Sequence, residues 1–491
     1  MRQYIGARYV PRFLGTYDNT QAYEALDVVD NGMGTSYIAK KPTPANTPLT
    51  DTDYWFVYGA SSGAIINLQN QIDGLTKEGV TPEMYGAIGD GVTDDTTAVQ
   101  SAIDSGHPVI LISSYAVTSV INITAPTQIL GMGGEIVAGA TNPVFNVVST
   151  HDVIFRDVVF REGNQLIYIE DVENLLIDHC SFYECGYCVI VKTTHYLYNA
   201  IIQNCYIEDA KHDFVELNST TALCKNISVL NNVYTGSYNY PSTATENRFF
   251  GSTNVEKVLI EGNYATNVNG DSIIHIEGHC KEMIINNNHF GDQNGYGVIF
   301  TGLNNGEDGD VTITNNVFKM SALGAVPVFD IGSNGHRNQD FIITNNTFIN
   351  CLLFSGICKT YLFASNKLID SITYLRGRER IFDNEIIIND SSLVPIESKY
   401  GSPTDVVIRN NTIANGNAMS IYCKRIGGGS LVTNVIICDN VTSGGIYIQN
   451  AKNCLMRNNY VKSDTVKFET VDYVAVDSTC DDNYLNGVLI P

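Results

Sequence analysis

Short alternations of apolar and polar residues recur along most of this chain, and again and again they stop at an asparagine. "VTITNNVF" at 311–318 returns as "FIITNNTF" at 341–348, "VVIRNNTI" at 406–413 and "EMIINNNHF" at 282–290. A period of two marks strands with one face turned inward. Marking the second asparagine of the phrase, or its substitute, gives Cys180, Cys205, Asn232, Asn263, Asn288, Asn316, Asn346, Asn366, Asn384, Asn411, Asn440, Asn459 and Asn483, with gaps of 18 to 31 residues. Self-similarity at this period predicts a solenoid. The leucine frame and helical segment of a leucine-rich repeat are missing. Two or three short strands per unit, separated by Asn, Gly and Asp, suit a parallel β-helix instead. Asparagine tolerates the left-handed backbone of a tight bend, and its amide, stacked on that of the next coil, can form a hydrogen-bonded ladder. The marks therefore predict one corner of every coil, with Cys180 and Cys205 packed at the same corner.

Three different segments precede the coils. Residues 1–59 contain "YEALDVVDNGMGTSYIAKKPTPANTPLTDTDYWFVYG", read as a small β module with aromatics Tyr23, Tyr37, Tyr54 and Trp55. Within 60–80, Ile65, Leu68, Ile72 and Leu75 follow the spacing of a short coiled-coil seam, a helical neck that points to an oligomer and suits a trimer. In "MYGAIGDGVTDDTTAVQSAID", 84–104, Asp94 or Asp95 can cap a helix whose apolar face is Ala98, Val99, Ala102 and Ile103. Such a helix would cover the open end of a solenoid spanning 81–491, which can also carry a C-terminal cap.

Composition adds limits. Only 16% of the 491 residues are charged, yet the formal net charge is −23, which repels nucleic acid and anionic membrane surfaces. The segment "MRQYIGARYVPRF" lacks the apolar core of a secretory signal, and no apolar run is long enough to span a bilayer, so neither export signal nor membrane insertion is expected. Twelve cysteines are scattered through a large chain, and the CxxC of Cys185 and Cys188 reads as buried packing before redox or metal chemistry.

The stretch "YGAIGDGVTDDTTAVQSAI", followed by "VILISSYAVTSVINITAPTQILGMGG", resembles the entry segment of the pectate-lyase-like superfamily of right-handed parallel β-helices. With the coils, the likeness covers roughly 80–490. The N-terminal "YEALDVVDNGMGTSYIA" and "DYW" resemble a module of bacteriophage tail proteins that is similar to chitin-binding modules. Together they resemble a phage tailspike. That resemblance implies an all-β fold with a right-handed parallel β-helix, a homotrimer on the virion or otherwise extracellular, and attachment to a phage tail or baseplate through residues 1–59. It also implies binding, and often cleavage, of bacterial surface polysaccharide. The paired aspartates and "GHG" of polygalacturonases are missing, and "IEGHC" at 276–280 is a faint echo. The superfamily spans hydrolases, lyases and non-enzymatic fibres, so chemistry has to be argued from the residues.

Glycoside hydrolysis needs an acid and a second carboxylate about 5 to 9.5 Å apart, and no metal or cofactor. Coils about 4.8 Å apart can supply that spacing from neighbouring turns. Aligned on the corner, "HDFVEL", "ENRFFGS", "GDSIIHIEG" and "GYGVIF" fall on one face. Val215 and Leu217 then point inward and Glu216 outward, while Ile274 and Ile276 point inward and His275 outward. Glu216 and Asp271 are the expected acid and base or nucleophile, with Asp213 or Glu246 as substitutes. His275 and Arg248 are expected to bind the sugar, and in a lyase either would abstract the proton. A glycoside hydrolase is preferred over a lyase, and the alternative is a non-catalytic fibre that only grips glycan. "GASSG" at 59–63 and "GGG" at 427–429 carry no chemistry in this scheme, and Trp55 and Tyr37 serve as core residues or as stacking platforms.

Overall fold

The computed structural model describes residues 12–32, 36–57, 79–139, 143–236, 247–268, 272–293, 296–300, 310–320, 329–331, 340–354, 360–375, 378–390, 392–398, 403–415, 419–424, 431–462, 466–469, 478–486 and 488–490. The coiled-coil neck, "GASSG", "GGG", Glu246 and Asp271 lie outside these described residues.

From residue 80 onward the chain winds as a parallel β-helix whose coils carry three strand faces. One coil consists of Val215–Leu217 on the first face, Cys224–Leu230 on the second and Val233–Gly236 on the third. In the next coil Phe250–Glu261 runs through the first and second faces before Tyr264–Thr266 forms the third. Strands on the same face of successive coils pair in parallel, so residues 18 to 35 positions apart become neighbours. Alternate residues point into one continuous core, which includes Phe160, Phe182, Phe214, Phe290, Phe318 and Phe348. Rings stack from coil to coil along it, at 4.9 Å for Phe160 and Phe182 and 5.4 Å for Phe318 and Phe348.

The repeated asparagine sits between the second and third faces. Asn263 donates both its main-chain N–H and its Nδ2 to Oδ1 of Asn288, each at 2.9 Å, and Asn288 does the same to Asn316. The ladder continues through Asn346, Asn366, Asn384, Asn411, Asn440 and Asn459 to Asn483. Its members are buried, so every amide has to find partners within the protein. The left-handed bend belongs to the residue before each rung: Asn231, Asn287, Asn315 and Asn345 have φ between 54 and 58°. Two adjacent residues thus share the two roles that the sequence assigned to one. At the upper end the N–H of Cys205 donates to Asn232 Oδ1 at 2.9 Å, which joins the buried cysteine corner to the ladder. Cys185 and Cys188 are free and buried, and burial pushes the Cys185 thiol up to about 12, which keeps it neutral and inert.

A helix, Thr96–Asp104, closes the first coil with Ala98, Val99, Ala102 and Ile103 buried. Asp94 Oδ1 accepts the first-turn N–H of Thr96 at 3.1 Å, whereas the carboxylate of Asp95 accepts the N–H groups of Ile88 and Gly89 at 2.7 and 3.0 Å. At the far end the stack finishes on an antiparallel pair, Asn483–Leu485 with Val488–Ile490. The N-terminal strands Arg12–Thr16, Asp27–Asp30, Ser36–Ala39 and Trp55–Val57 form a separate four-stranded sheet. Trp55 is 3% exposed there, packed edge-on against Tyr17 and Tyr23, so it is a core residue of this sheet rather than an open stacking surface.

Candidate functional site

On the first face, Val215, Glu216 and Leu217 pair with Phe250, Gly251 and Ser252, and those with Ile274, His275 and Ile276. Val298, Ile299 and Phe300 follow. This is the alignment expected from the corner marks, and the inward residues Val215, Leu217, Phe250, Ile274 and Ile276 are fully buried. Ile190, Glu216, Gly251 and His275 therefore form one outward column, with Ile299 next in register.

Glu216 is half-buried and its Oε2 is sealed from solvent without a donor. Asp213 lies close by. A Cβ placed on Gly251 would overlap Glu216 Oε2 and lie 3.1 Å from Asp213 Oδ2. A neighbouring carboxylate disfavours the charged form of a buried carboxyl. Burial pushes the Glu216 carboxyl well above its ordinary range, and the hydrogen bond and charge of Asp213 push it further; Arg248 pulls the other way and Glu277 adds to the rise.

Asp213 is fully buried and held from the next coil. Its Oδ1 accepts the main-chain N–H groups of Asn247 and Arg248 at 3.0 and 2.7 Å, and Arg248 Nη1 approaches Oδ2 at 3.4 Å. Asn247 adopts φ 124°, a left-handed value uncommon outside glycine, and is buried. Tyr234 donates its hydroxyl to Asn247 Oδ1 at 2.9 Å, and Asn247 Nδ2 donates to the carbonyl of Ala210 at 2.6 Å. The strained turn is thus fixed from two sides and presents its amides to Asp213.

Two coils from Glu216, His275 Nε2 lies 3.3 Å from Oε1 of Glu277, whose side chain is 57% exposed. Ser252 pairs with Ile276 and Asn254 with His279, so one residue on one coil opposes Glu277 and Gly278 on the next. This is a β-bulge, a device that re-aims a side chain. Gly278 has φ 89°, and a Cβ there would overlap the carbonyl oxygen of Thr253. The structure therefore gathers Glu216, Asp213, Arg248 and His275, and it adds Gly251, Asn247, Tyr234 and Glu277, which the sequence reading did not select. Glu277 had a signal: it stands two residues after the outward His275, and hence on the same face.

Among the described residues, no group of three or more His, Cys, Asp or Glu is placed to hold a metal ion, and no helix is long and apolar enough to cross a membrane. Along the same face, Tyr374, Glu397, Tyr422 and Tyr447 stand in one later column, with Lys424 paired to Glu397. The Tyr422 and Tyr447 rings lie 6.0 Å apart.

No family model matches the chain. A pre-neck appendage protein of Bacillus phage B103 is 34% identical over 118 residues, which cover 24% of this chain and 13% of the relative. A depolymerase of Klebsiella phage K64-1, described as specific for capsule K30/K69, is 44% identical over 71 residues, 14% of this chain and 9% of the relative. Over these segments the chain is similar to phage appendage and depolymerase proteins. The matched segments span only about an eighth or less of these relatives' own lengths. Among solved structures, the chain is similar to a double-mutant tailspike protein of E. coli bacteriophage HK620, with 12% identity, a TM-score of 0.47 and coverage of 85% of this chain and 80% of that one. It is also similar to an N-terminal fragment of the bacteriophage phi29 gene product 12, with 15% identity, a TM-score of 0.41 and coverage of 86% and 75%.

Proposed function

We propose that this tailspike-like chain is a virion protein, assembled as a homotrimer, that binds bacterial surface polysaccharide along the first face of its β-helix and cleaves it as a glycoside hydrolase. Residues 1–59 would attach it to the phage tail. The observation that carries the cleavage reading is Glu216: a half-buried carboxyl beside Asp213, held well above the ordinary carboxylate range by burial and by that neighbour. Such a group protonates the leaving oxygen of a glycosidic bond. Asp213, fully buried, supports Glu216 and does not touch the sugar.

The second carboxylate acts from the far side of the bond. Asp271 and Glu246 are the sequence-based candidates for it, and Glu277 is the described carboxylate best suited to it. The Glu277 coil lies two steps from that of Glu216, about 9.6 Å at 4.8 Å per step, a backbone separation in keeping with the wider spacing of inverting enzymes. His275 orients Glu277, and Arg248 stays bound to Asp213. A polymer extended along the face would meet Tyr422, Tyr447 and the Lys424–Glu397 pair further on. The depolymerase likeness over 71 residues supports the same reading.

The burial of Asp213 favours one second reading, a fibre that binds glycan without cutting it. Incubation with purified capsular polysaccharides separates the two. New reducing ends and shortened polymer support the hydrolase. Unsaturated uronide ends would mean a lyase, and tight binding of intact polymer would mean the fibre.

A further inference from the structure

The cations on and beside the strands of the first face already meet carboxylates. Arg248 faces Asp213 at 3.4 Å, Lys192 faces Glu170 at 2.9 Å, and Lys424 is paired with Glu397. Arg248 is also enclosed, with 12% of its side chain exposed, and turning outward would take a cation away from the buried Asp213. The imidazole of His275 lies 3.3 Å from Glu277, and that of His195, at the corner after Lys192, lies 3.0 Å from Asp171. Lys211, two residues before Asp213, stands at the preceding corner with Glu162 and Glu184, all three within electrostatic reach of the Cys185 thiol. Lys467 occupies the last rung of the Glu216 column, ten steps on, about 48 Å away at about 4.8 Å per step.

Negative charge is less matched. Glu277 projects into solvent two coils from Glu216, and Asp330 holds the position after Ile299 in the same column. The whole chain carries 52 acidic against 29 basic residues. An anionic sugar beside Glu216 would meet like charge, and to bind it the Arg and Lys side chains paired on this face would first have to give up their carboxylates.

The surface on the other side of the acid is uncharged. From Glu216 the outward column runs back through Ile190, Tyr168 and Asn146 to Asn122. At its edge the ring of Tyr187 lies flat on His212, 4.8 Å between centroids. Amides and rings suit the hydroxyls and C–H faces of neutral sugars.

We infer that the polymer held along the first face is uncharged: a surface polysaccharide whose repeating unit carries no carboxylate, phosphate or sulfate. The inference rests on the polysaccharide reading above and narrows it to one substrate class. An uncharged polymer also lacks the uronate on which a lyase acts, which favours hydrolysis.

The test uses the full chain against a panel of purified neutral and acidic bacterial polysaccharides, from capsules and from lipopolysaccharide side chains, with affinity and new reducing ends measured for each. The tightest ligand should be uncharged and bound at least about 10-fold more strongly than any acidic polymer. Its affinity should change less than about 2-fold between about 0.05 and 0.5 M salt. The same panel tells whether it comes from a capsule or from lipopolysaccharide. A tightest ligand that carries carboxylate, phosphate or sulfate overturns the inference, and if that ligand is hydrolysed the cleavage reading survives alone. Affinity that falls steeply with salt overturns it too, because a charge would then be contacted. A neutral polymer bound and left intact supports the inference and contradicts the cleavage reading. No binding across the panel overturns the polysaccharide reading and this inference with it.

Discussion

Gly251 leaves the space that the Glu216 carboxyl fills: any Cβ at position 251 would overlap Glu216 Oε2 and press on Asp213 Oδ2 at 3.1 Å. The two residues face each other across one coil boundary in the parallel ladder. A missing side chain on one coil thus leaves room for a buried carboxyl from another.

Gly251→Ala should expel Glu216 from its niche rather than unfold the protein, because the obstructing atom is the end of a flexible side chain. We expect thermal stability within about 1 kcal/mol of wild type, the usual size of a tolerated change away from a rigid core. Any polymer cleavage should fall by about 10²-fold, the lower end of what a positioned acid contributes. Paired melting curves and reducing-end assays check both.

Glu216→Gln should stabilise the protein at neutral pH. The folded pKa of Glu216 is raised, so between the unfolded value of about 4.3 and the folded one the native state holds a proton that the unfolded state has lost. Stability therefore falls as pH rises through that window. The amide removes this loss, so the variant should match wild type near about pH 4 and exceed it increasingly above, as read by denaturant midpoints across pH.

Asn316→Ala should weaken the rod in mid-ladder. It removes the acceptor of two buried donors, the N–H and Nδ2 of Asn288, and the donor to the carbonyl of Ile285. At about 1–3 kcal/mol for each stranded buried group, the loss should reach about 3 kcal/mol. Urea unfolding measures it, and Asn315→Gly, which changes the bend residue at φ 58° and leaves the ladder amide in place, should cost far less.

Tyr234→Phe leaves Asn247 Oδ1 without the hydroxyl donor it has at 2.9 Å, in a fully buried setting. A destabilisation of about 1–3 kcal/mol is expected. If Asn247 orients Asp213 as the geometry indicates, the pH at which Glu216 titrates should shift as well, a readout that a packing role alone would leave still. Carboxyl-selective infrared titration against Glu216→Gln identifies the band.

Much of the rod could be read in the chain because its determinants are local and repeated. A buried corner amide has to find its partner one coil away, so the same residue type recurs, and the phrase that carries it also fixes the strand parity on both sides. That is why Val215 and Ile274 turned inward and Glu216 outward as expected, while His275 shares the Glu216 column by register yet is only 6% exposed. What depended on contacts between coils was harder to see. Asp213 looked like a strand-entrance acid, but Asn247 and Arg248 from the following coil wrap its carboxylate and bury it. The meaning of Gly251 lay in the side chain opposite it, and the Glu277–Gly278 bulge broke the strict one-to-one count on which the alignment relied. The N-terminal aromatics gave no hint of direction, and Trp55 turned out to face the core of its sheet.

The most direct measurement is the rate at which wild type and Glu216→Gln cut a capsular polysaccharide that the wild type degrades, with binding followed in parallel. A proton donated by Glu216 predicts a fall of at least about 10²-fold in cleavage at unchanged affinity. Cleavage by the amide variant at the wild-type rate would contradict it.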